Sequence, residues 1–263
     1  MSEVKLWEQG APYYNASYGQ PEPTLAPYLT ETLDSRGCVI VCPGGGYGAR
    51  APHEGEPISL MLNKGGIHSF VLNYRVSPYR DPVMLTDVLR AIRYVRYHSG
   101  KYGVNPDKIG VLGFSAGGHL AVTAMEHYDY GKTWGDEIDR VSSRPDAAVL
   151  CYPVVSFINP TVHVGSMKNL LGDNDTPEMK RKYSGELSVR DDGPPVFMWH
   201  TDEDDGVHVS NCLDLAAALH EKKIPYELHV FPYGEHGLGL APNDPHVAQW
   251  AKLLINWLKL NGF

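Results

Sequence analysis

Gly113-Phe114-Ser115-Ala116-Gly117, followed at once by Gly118, decides how this chain is read. Before it, Lys108-Ile109-Gly110-Val111-Leu112 has the β-branched, apolar character of a short buried strand; after it, Ala116 to Glu126 reads as the opening of a helix. A serine held between glycines where a strand turns into a helix sits on a turn that tolerates almost no flanking side chain. That geometry presents the hydroxyl at the carboxyl edge of a sheet. The following helix aims its N-terminal N–H groups at the same spot, where they can stabilise an anion. Ser115 is therefore the candidate nucleophile. The plainer alternative is a glycine-rich turn of any α/β protein.

Strand and helix alternate outward from this point. Cys38–Cys42 and Ser69–Tyr74 read as strands, Pro57–Leu62 as a helix closed by Gly65-Gly66, and Asp81–His98 as a longer helix. In the last of these Leu85, Val88, Leu89, Ile92 and Val95 fall on one face. Asn105-Pro106-Asp107 reads as a turn into the serine strand. Asp146–Tyr152, Val196–His200 and Tyr226–Phe231 continue the strands; Val207–Lys222 and Pro245–Leu260 continue the helices. Ala11–Pro27, rich in Pro, Gly and Tyr, predicts irregular chain with one or two edge strands. Val154–Arg190 carries small and polar residues with one short helix near Pro177–Tyr183, and reads as an insertion over the active edge. The alternation predicts an α/β fold with a mostly parallel sheet covered on both faces, in a single domain over residues 1–263.

Composition narrows the function. Of 263 residues, 43% are hydrophobic, and 23 Lys plus Arg against 31 Asp plus Glu give a formal charge of −8. With no basic run, nucleic acid and anionic membranes are not expected partners. No stretch approaches a membrane span and the N-terminus has no apolar leader, so a cytoplasmic protein is expected. Cys38, Cys42, Cys151 and Cys212 lie in apolar runs without metal-type spacing and read as buried thiols.

A serine hydroxyl needs a neighbouring base, and the base needs a carboxylate to fix its tautomer. On a sheet of this kind the partners follow the serine in the order acid, then histidine. Among twelve histidines, His236 stands in Gly234-Glu235-His236-Gly237, just past a strand, and is the candidate base. His119, in the first turn of the serine's helix, reads as structural. The acid belongs in the run Asp202-Glu203-Asp204-Asp205, which the residues alone leave open. Cation-binding loops space their ligands more widely, so no metal is expected. Oxyanion donors are expected from the Ala116 N–H and from Gly44-Gly45-Gly46, principally Gly45 and Gly46, where the backbone can approach closely. No Lys-Ser or Lys-Thr follows those glycines, so a phosphate loop is not supported. Tyr47, His53, Tyr152 and His163 are the candidate substrate-binding residues, Arg50 and Glu54 near the glycine loop are further groups suited to hydrogen-bonding a hydroxylated leaving group, and His208 is a further pocket candidate.

Pro43-Gly44-Gly45-Gly46-Tyr47, Asn73-Tyr74-Arg75, the serine turn, Ser142-Ser143-Arg144-Pro145-Asp146, His200-Thr201-Asp202-Glu203-Asp204 and His236-Gly237-Leu238-Gly239-Leu240 together resemble the bacterial α/β-hydrolase esterases. The likeness is greatest to acetyl-esterase and acetylxylan-esterase-like members. The resemblance covers nearly the whole chain from Cys38 onward. It implies that the acid stands four residues after His200, at Asp204, and that no cofactor is used. Pro43 replaces the histidine of the related H-G-G-G pattern, and the short Pro-rich start argues against a large N-terminal cap, leaving 154–190 as the expected lid. The implied activity is hydrolysis of short acyl esters, with acetylated sugars or xylo-oligosaccharides as substrates. A formamidase or small-amide hydrolase with the same residues, and an inactive fold kept as a binding module, are the alternatives.

Overall fold

A computed structural model describes residues 2–31 and 36–263. The chain runs β1 (Val4–Lys5), β2 (Thr24–Tyr28), β3 (Arg36–Cys42), α1 (Glu56–Lys64), β4 (His68–Asn73), α2 (Val83–Tyr97) and α3 (Ser99–Tyr102). It continues through β5 (Val104–Phe114), α4 (Ser115–Glu126), β6 (Ala147–Cys151), α5 (Val164–Leu171), α6 (Pro177–Lys182) and β7 (Val196–Thr201). The last elements are α7 (Ser210–Glu221), β8 (Tyr226–Phe231) and α8 (Gln249–Leu260).

The strands form one eight-stranded sheet in the order β1-β2-β4-β3-β5-β6-β7-β8. From β4 to β8 every neighbouring pair is parallel; β2 joins β4, and β1 joins β2, antiparallel. The central strands are buried along their length, as a parallel sheet covered on both faces requires. Successive side chains feed opposite cores. Ile40, Val111 and Leu150 pack with α2, α4 and α7, whereas Val41, Leu112, Val149 and Trp199 pack with α1 and α8.

Three local features differ from expectation. Asn105–Asp107 is not a turn outside the strand but a bulge within β5, where pairing with β3 jumps from Arg36↔Val104 to Cys38↔Ile109. The Asn105 side chain accepts the Asp107 N–H there, at 3.0 Å. The edge strands near the start are β1, which precedes the Pro-rich stretch, and β2, which takes in its end. Pro27 is tolerated because β1 pairs only with Thr24 and Leu25, so at Pro27 one side of β2 is open. The segment between β6 and β7 holds α5 as well as the expected short helix at α6. All four cysteines are buried free thiols. Among the described residues no helix is long and apolar enough to cross a membrane.

Candidate active site

Ser115 sits at the junction of β5 and α4 with φ +52°, a left-handed conformation that costs a non-glycine residue about 1–3 kcal/mol. The flanking glycines make the turn possible. A Cβ at Gly113 would lie 1.9 Å from the Gly117 carbonyl oxygen, and one at Gly117 would lie 2.1 Å from that of Cys42. The serine is thus wedged against the end of β3, whose glycine loop begins beside it; a Cβ at Gly44 would come within 3.0 Å of the Ser115 Cβ.

His236, from the loop after β8, reaches the serine through Nε2, which accepts from Ser115 Oγ at 2.8 Å. Its Nδ1–H donates to Asp204 Oδ2 at 2.7 Å. Asp204 leaves β7 through a tight turn in which its Oδ1 accepts the N–H groups of Gly206 and Val207, at 2.9 and 2.8 Å. Burial alone would raise its carboxyl group, but hydrogen bonds from His200, His236 and the Val207 N–H outweigh that and hold it well below the usual carboxylate range. The result is a permanently charged acceptor that fixes His236 as the Nδ1–H tautomer, with Nε2 free to take a proton. His200 is fully buried beneath the same turn, donating Nε2–H to the Val207 carbonyl at 2.7 Å and lying 3.3 Å from Asp204 Oδ2.

The structure therefore brings Ser115, Asp204 and His236 into one hydrogen-bonded line. Asp202, Glu203 and Asp205 of the acidic run are exposed. Among the described residues the N–H groups of Gly45, Gly46 and Ala116 meet no protein acceptor, whereas the Gly44 N–H is taken by Glu54 Oε2 at 2.7 Å. From α5, the Asn169 amide donates to the Gly46 carbonyl at 2.9 Å and steadies the glycine loop. This contact was not legible in sequence, because α5 itself was not.

Three of the expected substrate contacts, Glu54, Tyr47 and Tyr152, need correcting; Glu54 is buried, with its carboxylate turned to the Gly44 N–H and the Tyr152 hydroxyl. Tyr47 is fully buried, with its hydroxyl paired to His119 Nδ1 at 2.8 Å. Tyr152 is also buried; its hydroxyl donates to Glu54 Oε1 at 2.6 Å, and its ring lies against His236 from inside. Both aromatic side chains lie under the site and do not line it. His53 is exposed and donates Nε2–H to the Gly237 carbonyl at 2.9 Å. His163 caps α5 through Nδ1, which accepts the Ser166 N–H at 3.1 Å and leaves Nε2 facing away from the cap. Its Cε1 borders Gly46, and burial followed by nearby His236 lowers its pKa, so its Nε2–H is a neutral donor beside the glycine loop. His208 is exposed, its Nδ1 bonded to Ser210 Oγ at 2.9 Å. His119 is structural: burial brings its pKa down to about 4 and Nε2 donates to the Tyr183 carbonyl at 2.9 Å. Among the described residues no group of three or more His, Cys, Asp or Glu side chains could hold a metal ion. A cleft of about 1190 Å³ runs along the outer face of α2 past Trp7, Tyr94, Tyr97 and Trp134, and none of the residues around Ser115 line it.

A doubly covered parallel sheet with a strained serine turn after its fifth strand, and a histidine and aspartate in line with it, defines an α/β-hydrolase. Solved structures agree. The acetyl ester-xyloside bifunctional hydrolase of Caldicellulosiruptor lactoaceticus superposes with a TM-score of 0.96 at 47% identity, covering 100% of this chain and 97% of that one. The chain belongs to the BD-FAE family, whose profile matches residues 28–219. It is 39% identical over 252 residues, 94% of its length, to endo-1,4-beta-xylanase B of Butyrivibrio fibrisolvens. To the acetylxylan esterase of Xylanibacter ruminicola it is 33% identical over 239 residues, 88% of its length. It spans 39% and 47% of those two longer proteins.

Proposed function

We propose that this chain is a serine carboxylic-ester hydrolase that removes acetyl groups from acetylated xylo-oligosaccharides. The observation that carries the reading is the continuous bond line Ser115 Oγ–His236 Nε2, His236 Nδ1–Asp204 Oδ2, at 2.8 and 2.7 Å. Ser115 Oγ attacks the ester carbonyl carbon while His236 Nε2 takes the hydroxyl proton, and Asp204 stabilises the imidazolium. The carbonyl oxygen becomes an oxyanion held by the N–H groups of Gly45, Gly46 and Ala116. Collapse of this intermediate breaks the bond to the alcohol, which leaves with the proton from His236 and deposits the acetyl group on Ser115. Water then gives a proton to His236 and attacks the acyl-enzyme; acetate departs and the serine is restored.

The acetyl preference and the sugar alcohol are supported by the names of the Xylanibacter and Caldicellulosiruptor proteins. His53 and His163 beside the loops fit a hydroxylated leaving group better than an alkyl chain. The test is a panel of p-nitrophenyl esters from acetate to octanoate, run beside acetylated xylo-oligosaccharides and N-formylkynurenine, with Ser115→Ala as control. Acetate release from the oligosaccharides and a steep fall beyond butyrate are expected, with Ser115→Ala slower by about 10⁶-fold. Preference for octanoate overturns the acetyl assignment, faster cleavage of N-formylkynurenine overturns the ester assignment, and an active Ser115→Ala overturns the mechanism.

A further inference from the structure

The proposed oxyanion donors and the proposed base come from loops far apart in sequence, after β3 and after β8. One buried carboxylate joins them. Glu54, at the end of the 3₁₀ turn Pro52–Glu54, is 2% exposed. Its Oε2 accepts the Gly44 N–H at 2.7 Å, and its Oε1 accepts the Tyr152 hydroxyl at 2.6 Å. The Tyr152 hydroxyl in turn accepts the Gly239 N–H at 2.9 Å, and the Tyr152 ring packs edge-on against His236 with centroids 5.1 Å apart. His53, from the same turn, holds the Gly237 carbonyl directly after His236. Gly239 has φ +55°, and a Cβ there would lie 2.9 Å from His53 Cδ2.

A carboxylate is the group this junction needs. It only accepts, so both the Gly44 N–H and the Tyr152 O–H must donate to it, which leaves a tyrosine lone pair for the Gly239 N–H. Charge-assisted bonds of this kind are short and directional. The Gly44 N–H is thereby withdrawn from the oxyanion site, and the loop is fixed immediately before Gly45 and Gly46.

We infer that Glu54 is a positioning residue for ester hydrolysis, setting the oxyanion loop through Gly44 and the His236 loop through Tyr152 and Gly239 so that both meet one carbonyl group. The inference depends on the proposed roles of Ser115, His236 and the glycine N–H groups. A misplacement of about 1 Å costs roughly 10²-fold in rate. The experiment measures kcat and KM on p-nitrophenyl acetate for Glu54→Ala, Glu54→Gln, Tyr152→Phe and the Glu54→Ala/Tyr152→Phe pair, each with its unfolding midpoint, well below that midpoint. Glu54→Ala is expected to lose about 10²-fold in kcat with KM nearly unchanged. Glu54→Gln, which keeps one acceptor, recovers part of the loss. Tyr152→Phe falls between, and adds little on top of Glu54→Ala because that arm is already broken. Wild-type kcat in the folded variants, or losses that simply multiply in the pair, overturns the inference. If Glu54→Ala does not fold, Glu54→Gln and Tyr152→Phe decide the matter in the same way. An inactive Ser115→Ala with unimpaired Glu54 variants defeats only this inference, whereas an active Ser115→Ala defeats the mechanism beneath it.

Discussion

Asp204 shows how much a single side chain's surroundings matter, because its neighbours in the acidic run share its chemistry but not its burial. Two backbone N–H groups clamp its Oδ1 and leave Oδ2 for His236. In Asp204→Asn the side-chain oxygen keeps the backbone bonds, so the amide NH₂ must face His236 Nδ1. The imidazole then has to accept at Nδ1 and carry its proton on Nε2, where it cannot relieve Ser115 of one. The expected loss in kcat/KM is about 10⁴-fold with little change in the unfolding midpoint. Asp202→Asn and Asp205→Asn, at exposed positions, are expected to stay near the wild-type rate. Sensitivity at either of them, with Asp204→Asn active, would show that the acid is wrongly assigned.

At the scale of elements, α4 carries the serine at one end and an uncompensated acid at the other. Every residue of this helix is buried, including Glu126 at its last position, whose two carboxyl oxygens meet no protein partner among the described residues. Nearby Glu186 has one oxygen bonded to Ser156 Oγ at 2.7 Å and the other without a partner among the described residues. Burial, and after it the Glu186 charge, raise Glu126 well above its ordinary value of 4.5. The sign follows directly. Above about pH 4.5 the unfolded chain releases this proton while the folded chain retains it, so the folded state loses stability as pH rises toward the folded pKa. Glu126→Gln removes the ionisation and keeps the volume. Relative to wild type it is expected to gain stability as pH rises above about 4.5, by an increment in urea unfolding that grows until the folded pKa is passed. A difference that does not change with pH would contradict the burial argument.

Across the whole molecule, the N-terminal arm is tied to the sheet by a buried ion pair. Arg75, just past β4, gives its backbone N–H and Nε to Asp87 Oδ2 at 2.9 and 3.0 Å and a terminal nitrogen to Oδ1 at 2.6 Å. Its other terminal nitrogen donates to the Pro12 carbonyl at 2.6 Å, so the pair binds α2, the end of β4 and the arm together. Gln20 adds three bonds to Val76 and Ser77 in the same loop. Both charges are almost fully buried, and removing one leaves the other without compensation. Asp87→Ala is expected to cost about 3–5 kcal/mol in urea unfolding. A cost below about 1 kcal/mol would mean that water or a rearranged Arg75 makes good the lost partner.

The alternation of strand and helix, the serine turn and the position of His236 just past a strand are legible in the residues, because these depend on local signals. β-branched runs, helical spacing and glycines at a strand end can be read within a dozen residues. The residues alone confine the acid to four neighbours and only the family resemblance singles out Asp204, since burial distinguishes the four and burial belongs to the fold. Contacts between distant segments, by contrast, exist only in the folded chain. Tyr47 follows the glycine loop and Tyr152 follows β6, yet both face the core, and Glu54 acts between loops that meet only because the sheet brings the carboxyl ends of β3, β6 and β8 to one edge. Helix α5 is not legible in the residues because its short apolar stripe of Met167, Leu170 and Leu171 has meaning only against the surface it covers. Local sequence puts Ser115 at a strand-to-helix turn and His236 just past a strand, and the sheet, by bringing those strand ends to one edge, sets the contacts that hold them in line.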